Sequence, residues 1–467
     1  MAPWDAAAPS GCAVDARLTA LINSLDDRMR LSLSGTVERV GVSGLYCFSL
    51  MAITGVSGAA FGLFLMLCAW MASLRTVWPC IRRDPVFWIV LLCGVYLLVS
   101  ATVAARIFPD TADHQWWQAK QWGYLVLLPV VAWWLGGSGR RILVAFGLFC
   151  LGGIWRMLNN TPWQDLGDWL GVGMPPWGFG LWHISFSAYL AVILLGVILF
   201  SPRLVRGAGS YPLGGLTAAG LVVVALICLV GILVGQSRGT WLAMLVVFPP
   251  VLFMYFRRLQ QSRWAMGRGY LLVAVVLASL LSAIAVLPAH DALLARLSAE
   301  WEVYAALLTG DISQVPITSV GARIHLYHHG VNQWLESPWF GWGAGSQAYL
   351  IQQTGLFTGA YVAPHYHNIV LEILLRFGLL GLGLIMAILS LVMHALWRGY
   401  VQGTIAVDWY YFFLGVFLFS LVWGMADIRI IRWDYRNFTL LVLGAAYSLG
   451  VLASARREQL AGLSRYP

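Results

Sequence analysis

Two histidines one residue apart offer the clearest chemistry in the chain. They stand in Ala363-Pro364-His365-Tyr366-His367-Asn368, where a polar stretch meets a long apolar run. A neutral imidazole at a water-accessible interface is suited to removing a proton near neutral pH. A polar residue that merely starts a helix is the plainer reading, and it suits one of the two. Arginines supply the second kind of chemistry. Arg238 lies in Gln236-Ser237-Arg238-Gly239-Thr240-Trp241, Arg323 opens an amphipathic segment, and Arg429, Arg432 and Arg436 crowd a loop whose carboxylates are Asp427 and Asp434. Converging guanidiniums bind a phosphate or diphosphate through bidentate, charge-assisted hydrogen bonds. Snorkelling to lipid phosphates, or pairing with a nearby carboxylate, is the alternative for any one of them. For Arg238 and Arg323 the phosphate reading is preferred. His325, His328 and His329 have helical spacing that could hold a metal, but no further ligand falls at a zinc-like interval and no HExxH run exists, so no metal is expected. Glu372 and Arg376 stand one turn apart inside an apolar run and are expected to pair with each other.

The elements that carry these residues must cross a bilayer. The chain has 467 residues, of which 60% are hydrophobic and 10% charged, too little polar surface to coat a soluble globule. Long apolar runs separated by short polar loops indicate helical spans and exclude a barrel of alternating strands. Spans are expected near 86–105, 121–136, 142–158, 182–201, 214–235, 240–256, 270–288, 367–395, 408–425 and 438–454. Residues 44–71 are interrupted at Gly55-Val56-Ser57-Gly58 and flanked by arginine on both sides, which favours two helices that enter and return. The fold class is therefore all-α, a polytopic helical membrane protein with about 12 transmembrane helices, each near the ~20 residues that a bilayer requires.

Loop charge sets the orientation. Nineteen basic residues fall in the loops and termini on one side, nine on the other, and Arg376 within a span. The positive-inside rule then places both termini in the cytoplasm and the segment 289–366 outside. The net charge of +9 is scattered through loops, so it reads as a topology signal and not as a nucleic-acid surface. The expected layout is a cytoplasmic arm over 1–43, nine spans over 44–288, a helical periplasmic cap over 289–366, three spans over 367–454 and a cytoplasmic tail over 455–467. No cleavable signal peptide is expected, because the first apolar run starts too late and is too long. The seven cysteines fall in apolar segments or inner loops, so no structural disulfide is expected. The outer loops are rich in tryptophan, among them Trp177, Trp182 and Trp433. An interfacial belt accounts for most of these, and a carbohydrate-stacking groove is the sharper alternative.

Three motifs, taken in order, resemble those of the bacterial O-antigen ligases within the wider O-antigen ligase and polymerase superfamily. His367-Asn368, nine residues, Gly378, two residues and Gly381 resemble the ligase motif. The run from Arg323 through Trp334, Pro338, Gly341 and Gly343 is similar to the stretch that precedes it, and Ser237-Arg238-Gly239 looks like the family's Ser-Arg-Gly element. The resemblance implies a GT-C-like glycosyltransferase of the bacterial inner membrane with its active site facing the periplasm. Such an enzyme moves O-antigen polysaccharide from undecaprenyl diphosphate to a sugar hydroxyl of lipid A-core, completing lipopolysaccharide without a nucleotide sugar or other cofactor. By similarity His367 would be the catalytic residue, and Arg238 and Arg323 would bind the donor diphosphate. His365, Asn368, Arg429, Arg432 and Arg436 would be supporting residues.

The chemistry suits those roles. Diphosphate is a good leaving group, so one base for the acceptor hydroxyl and two fixed cations for the departing oxygens meet the main needs, without metal and with inversion. An O-antigen polymerase or a protein O-oligosaccharyltransferase shares this architecture and differs in its acceptor. A lipid or solute transporter would show paired repeats and several deep charges. Glu372 and Arg376 are the clear intramembrane charges, and no repeat is visible.

Overall fold

The computed structural model describes residues 35–165, 167–169, 174–207, 210–259, 298, 300–355 and 365–452. Most of the expected N-terminal arm, the span at 270–288 and the C-terminal tail lie outside them. The chain is all helical over the described residues. In order it forms α1 (Gly35–Met51), α2 (Val56–Ala72), α3 (Leu74–Ile81), α4 (Pro85–Ile107), α5 (Ala112–Trp122), α6 (Leu128–Leu135), α7 (Gly139–Asn160) and α8 (His183–Gly207). There follow α9 (Tyr211–Val234), α10 (Arg238–Leu259), α11 (Trp301–Thr309), α12 (Ser319–Glu336), α13 (Gln347–Gln352), α14 (Ile369–Val401), α15 (Val407–Gly424) and α16 (Trp433–Tyr447).

Seven of these are long and apolar enough to cross a membrane: α4, α7, α8, α9, α10, α14 and α15. Their ends carry the signals that stop and start helices. Asp84 caps α4 by accepting a hydrogen bond from Val86 N at 2.9 Å, with Pro85 at the first helical position. The interrupted segment at 44–71 is a pair of 17-residue helices, and the first starts at Gly35, inside the region expected to be an arm. Beyond α2 the chain bends by 87° into α3.

The span expected at 121–136 takes a different form. Its first half is a 3-10 turn over Gly123–Leu127, and α6 has eight residues, all buried. A segment enclosed by other helices has no lipid to cross and can be short or irregular at membrane depth.

The loops fall at two ends. Arg141 pairs with Glu38 at 2.5 Å and Arg203 with Asp408 at 2.5 Å, gathering the starts of α1, α7 and α15 with the end of α8. At the opposite end Arg156, near the end of α7, donates to the Ile53 carbonyl at 2.6 Å, and Asn437 donates to the Ala52 carbonyl at 2.9 Å. The described part of the expected cap, α11 to α13, lies at this second end. It packs on the bundle through a small core of Leu326, Leu350, Ile351, Tyr366, Leu371 and Leu375.

Candidate active site

The histidine loop is fixed from several sides. The Asn368 side chain caps α14, accepting from Val370 N at 3.0 Å and Leu371 N at 3.1 Å. The Tyr366 N–H donates to Glu372 Oε1 at 2.7 Å, and the His367 carbonyl lies 3.1 Å from the Tyr327 hydroxyl, which also lies 2.9 Å from the Met425 carbonyl. His367 itself sits at φ 53°, a left-handed conformation that is strained for a residue with a Cβ. Glu372 Oε2 accepts from Arg376 Nε at 2.7 Å, and both side chains are fully buried. Arg376 in turn donates to the Ala344 carbonyl and to Gln118 Oε1. The pair read from sequence as mutual neutralisation thus also ties the histidine loop to α5 and to the loop before α13.

Between these loops runs a break in α14. Gly378 leaves the helix at φ 61°, ψ −167°. The segment 338–343 fills the gap: Trp342 N donates to the Leu375 carbonyl at 2.7 Å, Gly343 N to the Arg376 carbonyl at 3.0 Å, and Leu379 N to the Pro338 carbonyl at 2.8 Å. A Cβ at Gly378 would overlap the Trp339 carbonyl group, and one at Gly341 (φ 69°) would overlap the Arg376–Phe377 peptide. Two glycines therefore let two stretches of backbone pair directly.

Asp427, in the loop after α15, completes the site. Its Oδ1 lies 3.6 Å from His367 Nδ1 and 3.8 Å from His365 Nε2. Its Oδ2 accepts from Arg429 Nη2 at 2.6 Å and Nε at 2.8 Å, and Oδ1 accepts from Ile428 N at 2.8 Å. Burial alone would raise the Asp427 carboxyl, but contact with His367, Arg429 and His365 outweighs it and holds the group well below the usual carboxylate range. His365 Nδ1 accepts the His367 N–H at 3.3 Å, which places the ring proton on Nε2, toward Asp427. Burial, with the neighbouring His367, pushes His365 down to about 3, so it is neutral at physiological pH. An ionised carboxylate opposite His367 Nδ1 favours the tautomer with its proton there and a lone pair on Nε2. In the sequence Asp427 stands out only as a counter-charge to the arginines. Its position at the start of a short loop beside Arg429 was the one available hint.

His365, His367 and Asp427 present ligand atoms within 4.8 Å of one another, a spacing a cation could use. Their donor set is poorly disposed for one, because His365 Nε2 carries a proton and Asp427 Oδ2 is bound by Arg429. The three histidines of α12 diverge. His325 is buried against the Val315 carbonyl, His328 is exposed, and His329 stacks on Tyr366.

Arg238 and Arg323 converge. Arg238 Nη2 lies 3.1 Å and Arg323 Nη1 3.4 Å from the same atom, Ser319 Oγ. Ser319 is the first residue of α12, so both guanidiniums meet at the positive end of an 18-residue helix. Their mounts lie close to the histidine. Thr240 donates to Ser237 Oγ at 2.9 Å and accepts from Trp423 Nε1 at 3.1 Å, while Gly239 packs on Ala426, the neighbour of Asp427. Arg323 stands one turn before Tyr327, whose hydroxyl touches the His367 carbonyl. The other three arginines share no hydrogen-bond acceptor. Arg429 lies over Trp182 at 5.1 Å while bonded to Asp427, Arg432 lies over Trp177 at 4.6 Å, and Arg436 bonds Gln121 and lies over Tyr124 at 4.7 Å. Below Asp427 and Arg429 a cavity of about 190 Å³ descends between α14, α15 and α16, lined mainly by apolar side chains such as Ile373, Phe417 and Phe438.

No curated protein sequence matches the chain. A family model described as O-antigen ligase matches residues 223–386. That stretch holds Arg238, Arg323, His367 and both glycines of the α14 break, and over it the chain is similar to the O-antigen ligase family.

Proposed function

We propose that this protein is an O-antigen ligase of the bacterial inner membrane, acting at the periplasmic face on undecaprenyl diphosphate-linked O-antigen and lipid A-core. The supporting observation is the arrangement of His367, backed by Asp427, beside two guanidiniums that share one oxygen. The acceptor hydroxyl attacks the anomeric carbon of the donor glycan. Its proton passes to His367 Nε2, and Asp427 stabilises the imidazolium that forms. The bond from the anomeric carbon to the diphosphate oxygen breaks with inversion, and the leaving undecaprenyl diphosphate carries its charge between Arg238 and Arg323. The apolar cavity below Asp427 offers room for part of a lipid chain. Among the described residues, the arginines at the end opposite the histidines outnumber those beside them, which supports a periplasmic site.

Purified protein in nanodiscs, supplied with the lipid-diphosphate glycan and rough lipopolysaccharide, tests this reading. Transfer should proceed in EDTA, and His367→Ala should lower it by about 100-fold or more while donor binding persists. Full transfer by that variant, or a loss in EDTA restored by magnesium, would overturn the mechanism. Extension of the donor glycan alone, with no product on lipid A-core, would make the protein a polymerase.

A further inference from the structure

Arg432 is set apart from its neighbours by what it does not bind. Arg429 is spent on Asp427, with 8% of its side chain exposed. Arg436 is bonded to Gln121. Arg432 keeps 30% of its side chain exposed, and the carboxylate nearest it, Asp434 Oδ1, stands 3.8 Å from Nε, beyond hydrogen-bond reach. Its Nε has no hydrogen-bond partner.

The surroundings are electropositive. Asp434 is the carboxylate that Arg156, Arg432 and Arg436 all face. One negative charge among three guanidiniums leaves a site that a further anion would balance. The surroundings are also aromatic. Arg432 lies 4.6 Å from the Trp177 ring and 5.8 Å from that of Trp182, and the two indoles meet edge to face at 5.2 Å. Trp177 is 47% exposed. Trp182 also carries Arg429, so the platform connects through Arg429 and Asp427 to His367.

We propose that Trp177 and Arg432 bind an anionic sugar unit of the acceptor, bearing phosphate or carboxylate, and so guide its free hydroxyl to His367. This rests on the reading of His367 as the site of glycan transfer. The indole supplies a flat apolar face for the C–H side of a sugar ring, and the guanidinium supplies a fork for the anion. A lipid headgroup offers the same anion but has no ring to stack on Trp177, which favours the saccharide.

The test uses full-length protein in zwitterionic nanodiscs and, as probes, phosphorylated core oligosaccharide released from rough lipopolysaccharide and the same oligosaccharide after phosphatase treatment. Calorimetry should show the phosphorylated form binding about tenfold tighter, as expected of a charge-assisted pair. Arg432→Gln should erase that preference without changing donor affinity, Arg432→Lys should retain part of it, and Trp177→Ala should weaken both forms. An unchanged preference in Arg432→Gln overturns the proposal, as does a preference that vanishes when anionic lipid is added to the disc. Should wild-type protein bind with this preference yet transfer nothing to lipid A-core, the platform stands and the ligase reading falls.

Discussion

His367 can act as a base only through the ring nitrogen that is not turned toward the protein, so the group facing Nδ1 decides its chemistry. Asp427 is that group, and at 3.6 Å it orients the ring without yet closing a hydrogen bond. Asp427→Asn preserves shape but loses the charge that stabilises imidazolium, and it leaves Arg429 buried without its counter-ion. The expected outcome is a fall in kcat of roughly 10- to 1000-fold with donor affinity little changed, read by initial-rate kinetics against direct donor binding. Equal kcat would remove Asp427 from the mechanism. The arginines make a different prediction. Two guanidiniums meeting at Ser319 Oγ present planar forks to one anion, which an ammonium cannot copy. Arg238→Lys or Arg323→Lys should weaken donor binding about 10- to 100-fold although the charge is kept. Unchanged binding by the lysine variants would refute the fork argument.

Helix α14 is more than a carrier of the histidine loop. Its break at Gly378 admits the segment 338–343, and this backbone pairing joins the two motifs that flank the site in sequence. The glycines at 341 and 378 are thus partners across an interface, each removing a Cβ from the other's path. Gly378→Ala combines a positive φ with a backbone overlap, for a cost of at least about 1–3 kcal/mol. It should lower the thermal unfolding midpoint and reduce transfer by moving His367, and a wild-type midpoint would show that the break is not required. Glu372 and Arg376 act at the same scale, since their buried pair holds the Tyr366 N–H on one side and the Ala344 carbonyl on the other.

At the scale of the bundle, the site residues read from the sequence stand at one end, and the Arg141–Glu38 and Arg203–Asp408 pairs stand at the other. The resulting prediction is one of sidedness. In a cysteine-free background, Leu308→Cys, at 89% exposed, should react with an impermeant maleimide added outside intact spheroplasts, and Tyr211→Cys, at 90% exposed, only after lysis. The reverse pattern would put His367 in the cytosol and end the proposed reaction.

The amino-acid sequence alone determined the membrane class and most of the long spans, because hydrocarbon solvation acts on each segment independently of its neighbours. It also marked Arg238, Arg323 and His367, whose charge or ring stands out against apolar surroundings. It could not foresee that the span at 121–136 would be short and enclosed, since enclosure depends on which helices surround it. Nor did it reveal Asp427 as the partner of His367, 60 positions away, or separate Arg429, Arg432 and Arg436, which are near one another in the chain but differ in what their guanidiniums bond. Those outcomes follow from packing between distant segments, and only the tertiary structure decides which carboxylate, ring or guanidinium each side chain meets.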